Sequence, residues 1–148
     1  MSRIRIQPDD RTAIETLLNE VVARRDNGEG HRVAELFTEN AVIVTPHSKM
    51  QGRSAIHAYF SDAERAASTT TRHLWTNLAL APLDDGSVQV DSYAVTVVSA
   101  TGAPEKGVML MVGNTHDIAV HENGAWRLAS RHVTHALRGR LAAVEGKP

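Results

Sequence analysis

Residues 71–80 read TRHLWTNLAL, a stretch patterned as a long strand and the most informative in the chain. Strand side chains alternate between faces with a period of two. Read as a strand, the segment projects His73, Trp75 and Asn77 from one face and Leu74, Thr76 and Leu78 from the other. An ionisable ring, a large aromatic and an amide on one face are not an ordinary packing surface; they suit the wall of a small-molecule pocket. The segment also begins a run of consecutive strands. Thr71–Leu83 turns at Asp84-Asp85-Gly86 into Ser87–Ala100, and TGAPEKG (101–107) leads into Val108–Val120. Glu122-Asn123-Gly124 carries an Asn-Gly hairpin signal, followed by a last strand over Ala125–Ala136. The tail after Leu137 reads as frayed.

Upstream of residue 71 the periodicity is mainly helical. A first helix begins near Pro8-Asp9-Asp10, where proline is tolerated and acidic residues cap the helix and favour its dipole. Ile14, Leu17, Leu18, Val21 and Val22 form one apolar stripe, and Asp26-Asn27-Gly28 supplies the stop. A short second helix points Val33, Leu36 and Phe37 inward. Ala41–Thr45 is a β-branched strand, and Pro46–Gly52 a loop or irregular hairpin. Ser54 is placed to cap a third helix running to about Ala67, with Ile56, Tyr59, Phe60 and Ala63 inside. Helices first and consecutive antiparallel strands afterwards predict an α+β fold, with three N-terminal helices packed in a curved antiparallel sheet. No repeat or linker interrupts the chain, so residues 1–148 are expected to form one domain with an ordered core over about 8–137.

The bulk properties narrow the function classes. The chain has 148 residues, 42% of them hydrophobic, and a net charge of −1. That length suffices for a real core, and the near-neutral charge gives no general attraction to nucleic acid or anionic membrane. With no cysteine there is no disulfide, thiol nucleophile or cysteine metal site. The first ten residues lack the apolar run of a signal peptide, and no segment has the ~18 apolar residues that span a bilayer. A soluble, cytoplasmic protein is expected. Eight histidines are many for this length, but none has HExxH spacing, and His132 and His135 face opposite sides of a strand. No metal site is expected.

Several segments taken together resemble the nuclear transport factor 2-like superfamily, in particular its SnoaL-like branch. They are Arg-Asp-Asn-Gly (25–28), Glu-Leu-Phe-Thr-Glu-Asn-Ala-Val (35–42), Gln-Gly-Arg-Ser-Ala-Ile (51–56), Thr-Arg-His-Leu-Trp-Thr-Asn (71–77) and Gly-Ala-Trp-Arg-Leu-Ala-Ser-Arg (124–131). The resemblance implies a cone-shaped α+β barrel with a deep pocket at its wide end, and homodimers through the outer sheet face. The superfamily includes scytalone dehydratase, bile acid dehydratases, ketosteroid isomerase, limonene epoxide hydrolase and polyketide cyclases, as well as members without activity. Asp26 and His73 match residues that look catalytic in the dehydratase branches, where an aspartate ending the first helix orients a histidine on the first long strand. Arg131 matches an arginine near the end of the last strand in some bile acid dehydratase-like members. The departures are informative. Arg25 and Val21 stand where those dehydratases carry a tyrosine, and nothing ionises at Thr96–Val98. Thr45 replaces the isomerase base, and Arg131 stands where an epoxide hydrolase would have aspartate.

The chemistry follows from these residue types. Proton abstraction beside a carbonyl, followed by loss of hydroxide, needs a base poised near neutral pH that then serves as an acid. Histidine suits both roles, and a carboxylate on its other ring nitrogen fixes the tautomer. His73 is thus the candidate base and acid, and Asp26 its orienting group. Asp26 equally suits plain turn chemistry, and His73 a core histidine bonded to backbone. Candidate ligand contacts are Trp75, Asn77, Asp91, Arg131 and His116. Of His116-Asp117, only one can enter the pocket; Tyr59 and Phe60 are expected to pack against the sheet. Met109 and Met111 suit either a pocket wall or a dimer face. The reading is a cofactor-independent dehydratase, isomerase or cyclase acting on a small hydrophobic, cyclic hydroxy-carbonyl compound. The alternatives are a non-catalytic binding module and a dimeric structural subunit.

Overall fold

The computed structural model describes residues 6–100, 103 and 107–141. Helix α1 (Pro8–Asp26) starts with proline in its first turn and Asp9 and Asp10 at its positive end; no side chain caps it. Its stripe of Ile14, Leu17, Leu18 and Val21 is buried, each side chain contributing about 1.5–3 kcal/mol. The helix ends at Asp26, and Gly28 takes the left-handed conformation (φ 76°) that turns the chain away. The second helix is 3-10 in type, Gly30–Leu36, with Val33 and Ala34 buried. Helix α2 (Arg53–Arg65) is capped by Gly52 at φ 84° rather than by Ser54, which lies inside the helix. Among the described residues, no helix is long and apolar enough to cross a membrane.

Six strands form one sheet: β1 (Phe37–Val44), β2 (Lys49–Gln51), β3 (Thr69–Pro82), β4 (Val88–Ala100), β5 (Val108–Glu122) and β6 (Ala125–Leu141). Their order is β2-β1-β6-β5-β4-β3. The sheet is mixed rather than antiparallel throughout, because β1 pairs with β6 in parallel. It also remains open, with β2 and β3 as edges. Three boundaries differ clearly from expectation. Strand β1 begins at Phe37 rather than Ala41, so the buried Phe37 belongs to the strand and not to the short helix. The short strand β2 lies in the presumed Pro46–Gly52 loop and pairs with β1. Strand β6 continues to Leu141 and keeps β5 paired beyond Leu137, so residues 138–141 belong to the sheet. Most of the 101–107 turn and the tail beyond residue 141 lie outside the described residues.

The core sits where α1 and the short helix meet the concave face of the sheet. Ile14, Leu18, Val21, Val33, Phe37, Ile43, Val90 and Leu128 are almost wholly buried there. The Asn123-Gly124 hairpin has both residues at positive φ (51° and 77°), which matches the twist of the paired strands. Trp126 beside it packs against the core and donates to Asp10 Oδ1 (3.2 Å), tying β6 to the start of α1.

Candidate active site

The end of α1 delivers Asp26 to the middle of β3. One carboxylate oxygen accepts the backbone N–H of His73 (2.7 Å), and the other lies 2.5 Å from the ring Nδ1. Both side chains are nearly buried, 8% exposed for Asp26 and 14% for His73. A carboxylate accepts only, so Nδ1 carries the proton and Nε2 is the nitrogen left with a lone pair. Burial disfavours the imidazolium and lowers the His73 pKa; Arg25 adds to this, the Asp26 hydrogen bond and charge oppose it, and Arg131 lowers it further. The net direction is downward, so the ring is a neutral base at neutral pH.

His73 forms part of the wall of a cavity of about 410 Å³ between α1, α2 and the concave face. Strand register explains the rest of its lining, since residues paired across a sheet share a face. His73 pairs with Thr96, Thr96 with Met111, and Met111 with Arg138. Trp75 pairs with Ala94, Ala94 with Gly113, and Gly113 with His135. All of these except Gly113 line the cavity, joined by Leu18, Val22 and Arg25 from α1 and by Tyr59 and Phe60 from α2. A side chain at Gly113 would collide with the carbonyl oxygen of Thr134. Trp75 is fixed by donating to Asn19 Oδ1 (3.0 Å).

Besides Arg138, two guanidiniums face this space. Arg131 is held by a bidentate pair with Asp117 (2.9 and 2.7 Å), whose side chain is fully buried. Arg25 lies 5.4 Å from the Phe60 ring centroid and opens onto the cavity. Crowding by protein lowers its pKa to about 10; Arg131 pushes the same way, while Asp26 and Tyr59 oppose it.

The sequence candidates divide into two groups. Asp26, His73, Trp75 and Arg131 come together at the cavity. Asn77, Asp91 and His116 do not. Strand β3 bulges between Thr76 and Ala79, with Asn77 at φ 56°. The bulge reverses the alternation, so Asn77 is exposed and Leu78 and Leu80 turn to the core. Asp91 and His116 pair with each other on the convex face (Oδ1 to Nδ1, 2.7 Å). Gln89 donates to the same carboxylate and, with His116, holds its pKa below the usual range, partly opposed by burial. Tyr59 and Phe60 line the cavity instead of simply packing on the sheet.

Sequence reasoning missed Arg25, Asp117 and Ser92 as parts of this site. A parity signal was available for two of them. Val88 and Val90 are apolar at even positions, which turns Ser92 inward and Asp91 outward. Met111 and Asp117 share odd parity on β5, so the inward member of His116-Asp117 is the aspartate. Arg25 continues the helical spacing of Leu18 and Val21 by one turn.

Helices held in a curved sheet, with a cavity on its concave side, define the nuclear transport factor 2-like class of cone-shaped α+β proteins. Within it, this chain belongs to the SnoaL-like domain family, which its residues 7–132 match. Solved structures share the fold over nearly the whole length. A candidate scytalone dehydratase of Novosphingobium aromaticivorans is 19% identical, with 95% of each chain covered and a TM-score of 0.78. A Catenulispora acidiphila protein in complex with S-DNPA is 24% identical, covering 87% of this chain and 95% of its own, with a TM-score of 0.75. A type 2 hexachlorocyclohexane dehydrochlorinase (LinA) is 16% identical, with 95% and 94% covered and a TM-score of 0.79. At these identities the likeness establishes the fold. No curated protein matches the sequence.

Proposed function

We propose that this protein is a cofactor-independent enzyme that moves a proton on a small hydrophobic, cyclic hydroxy-carbonyl compound, with elimination of water as the leading reaction. The observation that carries this reading is the 2.5 Å contact of His73 Nδ1 with Asp26 in the wall of a cavity. With Nδ1 so engaged, Nε2 takes a proton from the carbon next to the substrate carbonyl. The electron pair moves onto the carbonyl oxygen, where Arg131 and Arg25 stabilise the enolate. The imidazolium, stabilised by Asp26, then gives the proton to the departing hydroxyl, and water leaves as the carbon–carbon double bond forms. The same first step serves isomerisation or aldol-type cyclisation.

The names of two relatives, a candidate dehydratase and a dehydrochlorinase, both denote eliminations. The ligand complex of a third supports a small molecule as the partner. Cytoplasmic location and a homodimer through the convex face are part of the same reading. The test is deuterium exchange of cyclic β-hydroxy ketones in D2O, followed by NMR. The expected result is incorporation next to the carbonyl that disappears in His73→Ala. Exchange that survives this substitution unchanged would overturn the role of His73, and absence of exchange with the wild-type protein would leave the binding-module alternative.

A further inference from the structure

The cavity lining gathers arginines and histidines. It holds Arg25, His47, His73, Arg131, His135 and Arg138, with no carboxylate among the described lining residues. Composition does not produce this, since the chain carries 16 Lys+Arg against 17 Asp+Glu. Two acids stand just behind the wall and are committed: Asp26 to His73 and Asp117 to Arg131. Arg138, like Arg25, forms no ion pair with a described carboxylate; its Nη2 rests 3.5 Å from Met109 Sδ.

The backbone places this arginine deliberately. Strands β5 and β6 are out of step between Val112 and Gly113, so His135 pairs with Gly113 while Arg138 pairs with Met111. The extra residue on β6 turns both His135 and Arg138 to the concave side, three positions apart. His47, in the turn between β1 and β2, meets the His135 ring edge to face at 5.6 Å between centroids. All three are exposed while lining the cavity, which puts them at its mouth. Leu18, Val22, Ile43, Met50 and Trp75 supply apolar wall to the same space.

We propose that Arg138, His47 and His135 form an anion subsite at the mouth, so that the substrate is a hydrophobic carboxylic acid bound with its carboxylate outward. This deepens the proton-transfer reading and rests on it for the word substrate, but the subsite itself is defined by binding. Guanidinium and imidazole N–H groups are the donors that recognise a carboxylate, and charge-assisted bonds are the strong ones. His73 and Arg138 occupy one cross-strand row, three strand steps apart, or about 14 Å along the sheet. The reacting carbon and the carboxylate therefore sit at opposite ends of a fused-ring body. The carboxylate also offsets the mutual repulsion of Arg25 and Arg131, which adds to burial in lowering the pKa of His73 and Arg25.

Binding of 2-naphthoate and of its neutral isostere 2-naphthamide, measured by calorimetry on the full chain, tests this. The acid is expected to bind about tenfold more tightly than the amide. Arg138→Gln should bring the two probes to within about threefold, whereas Arg138→Lys should retain part of the preference. His73→Ala should keep the preference, so an abandoned proton-transfer reading would leave this result standing. Equal affinity for the two probes, absence of acid binding up to millimolar concentration, or a preference that survives Arg138→Gln would each overturn the subsite.

Discussion

A single carboxylate, that of Asp26, accepts both the backbone N–H and the ring Nδ1–H of His73, 47 residues along the chain. The backbone bond fixes the height of the carboxylate against β3, and the ring bond fixes the imidazole's rotation. Orientation and tautomer are therefore set by one residue. That residue is the last of α1, so the helix end is itself a part of the site.

Asp26→Asn separates these two functions. The amide oxygen still accepts the His73 N–H, but the amide nitrogen now donates to Nδ1 and drives the ring proton to Nε2. The nitrogen facing the substrate is then no longer a base. Turnover, or exchange of the carbon-bound proton, should fall by about 10²–10⁴-fold. The variant should remain folded, and nitrogen chemical shifts of the ring should report the inverted tautomer. Wild-type exchange rates in this variant would remove Asp26 from the mechanism.

The depressed pKa of His73 sets the pH behaviour. Its facing charges are Asp26, Arg25 and Arg131. Because the folded value lies below the ordinary ~6.5, the base form persists into mild acid, and the acid limb of kcat/KM should have its midpoint below pH 6.5. Arg25→Gln removes a cation that lowers this pKa, so the midpoint should move upward. Stability follows the same sign. As pH falls through ~6.5 the unfolded chain binds the proton first, so this group's contribution is complete above that pH and is lost on descent to the folded pKa. Titration of the His73 ring by NMR checks both the direction and the effect of Arg25.

The convex face carries an apolar row across four strands. Leu74 pairs with Val95, Val95 with Val112 and Val112 with Leu137. Leu74 is 52% exposed and Leu137 68%. An exposed row of this kind favours association, and a second copy of the chain is the expected cover. Sedimentation should give a dimer, and Leu137→Glu should shift it toward monomer by burying a charge in the contact. A wild-type monomer at tens of micromolar would discard the dimer.

Much of this architecture was legible because its signals are local and periodic. The stripe Ile14, Leu17, Leu18 and Val21 marks α1, and the Asn123-Gly124 turn marks the last hairpin. Asp91 and His116 were misplaced although simple alternation excludes them, whereas two other failures come from backbone steps that alternation cannot see. The bulge at Asn77 reverses the phase of β3, and the bulge near Ala136 brings Arg138 to the concave side. Asparagine tolerates positive φ, but nothing in TRHLWTNLAL requires it to use that freedom. The parallel β1–β6 pairing was invisible for another reason. It joins segments more than 80 residues apart, and parallel partners carry no turn signal between them. Asp26 and His73, by contrast, were brought together by family resemblance, since no local pattern links a helix end to a distant strand.

The Asp117–Arg131 pair offers the sharpest test of how the cavity wall is held. Asp117 is fully buried, and its carboxylate is matched by a two-pronged guanidinium. Removing either partner leaves a desolvated charge without its complement, which typically costs about 3–5 kcal/mol. Asp117→Ala and Arg131→Ala should each lose stability on this scale in urea unfolding. Replacing both, as Asp117→Leu with Arg131→Met, removes the two charges together and should recover most of the loss, because a packed apolar pair avoids their desolvation. Activity should not follow stability. The double variant lacks the guanidinium that steadies the enolate, so it should be folded yet strongly impaired, with exchange of the carbon-bound proton reduced by at least about 10²-fold. A double variant that is stable and fully active would confine Arg131 to a structural role and leave Arg25 as the remaining cation beside His73.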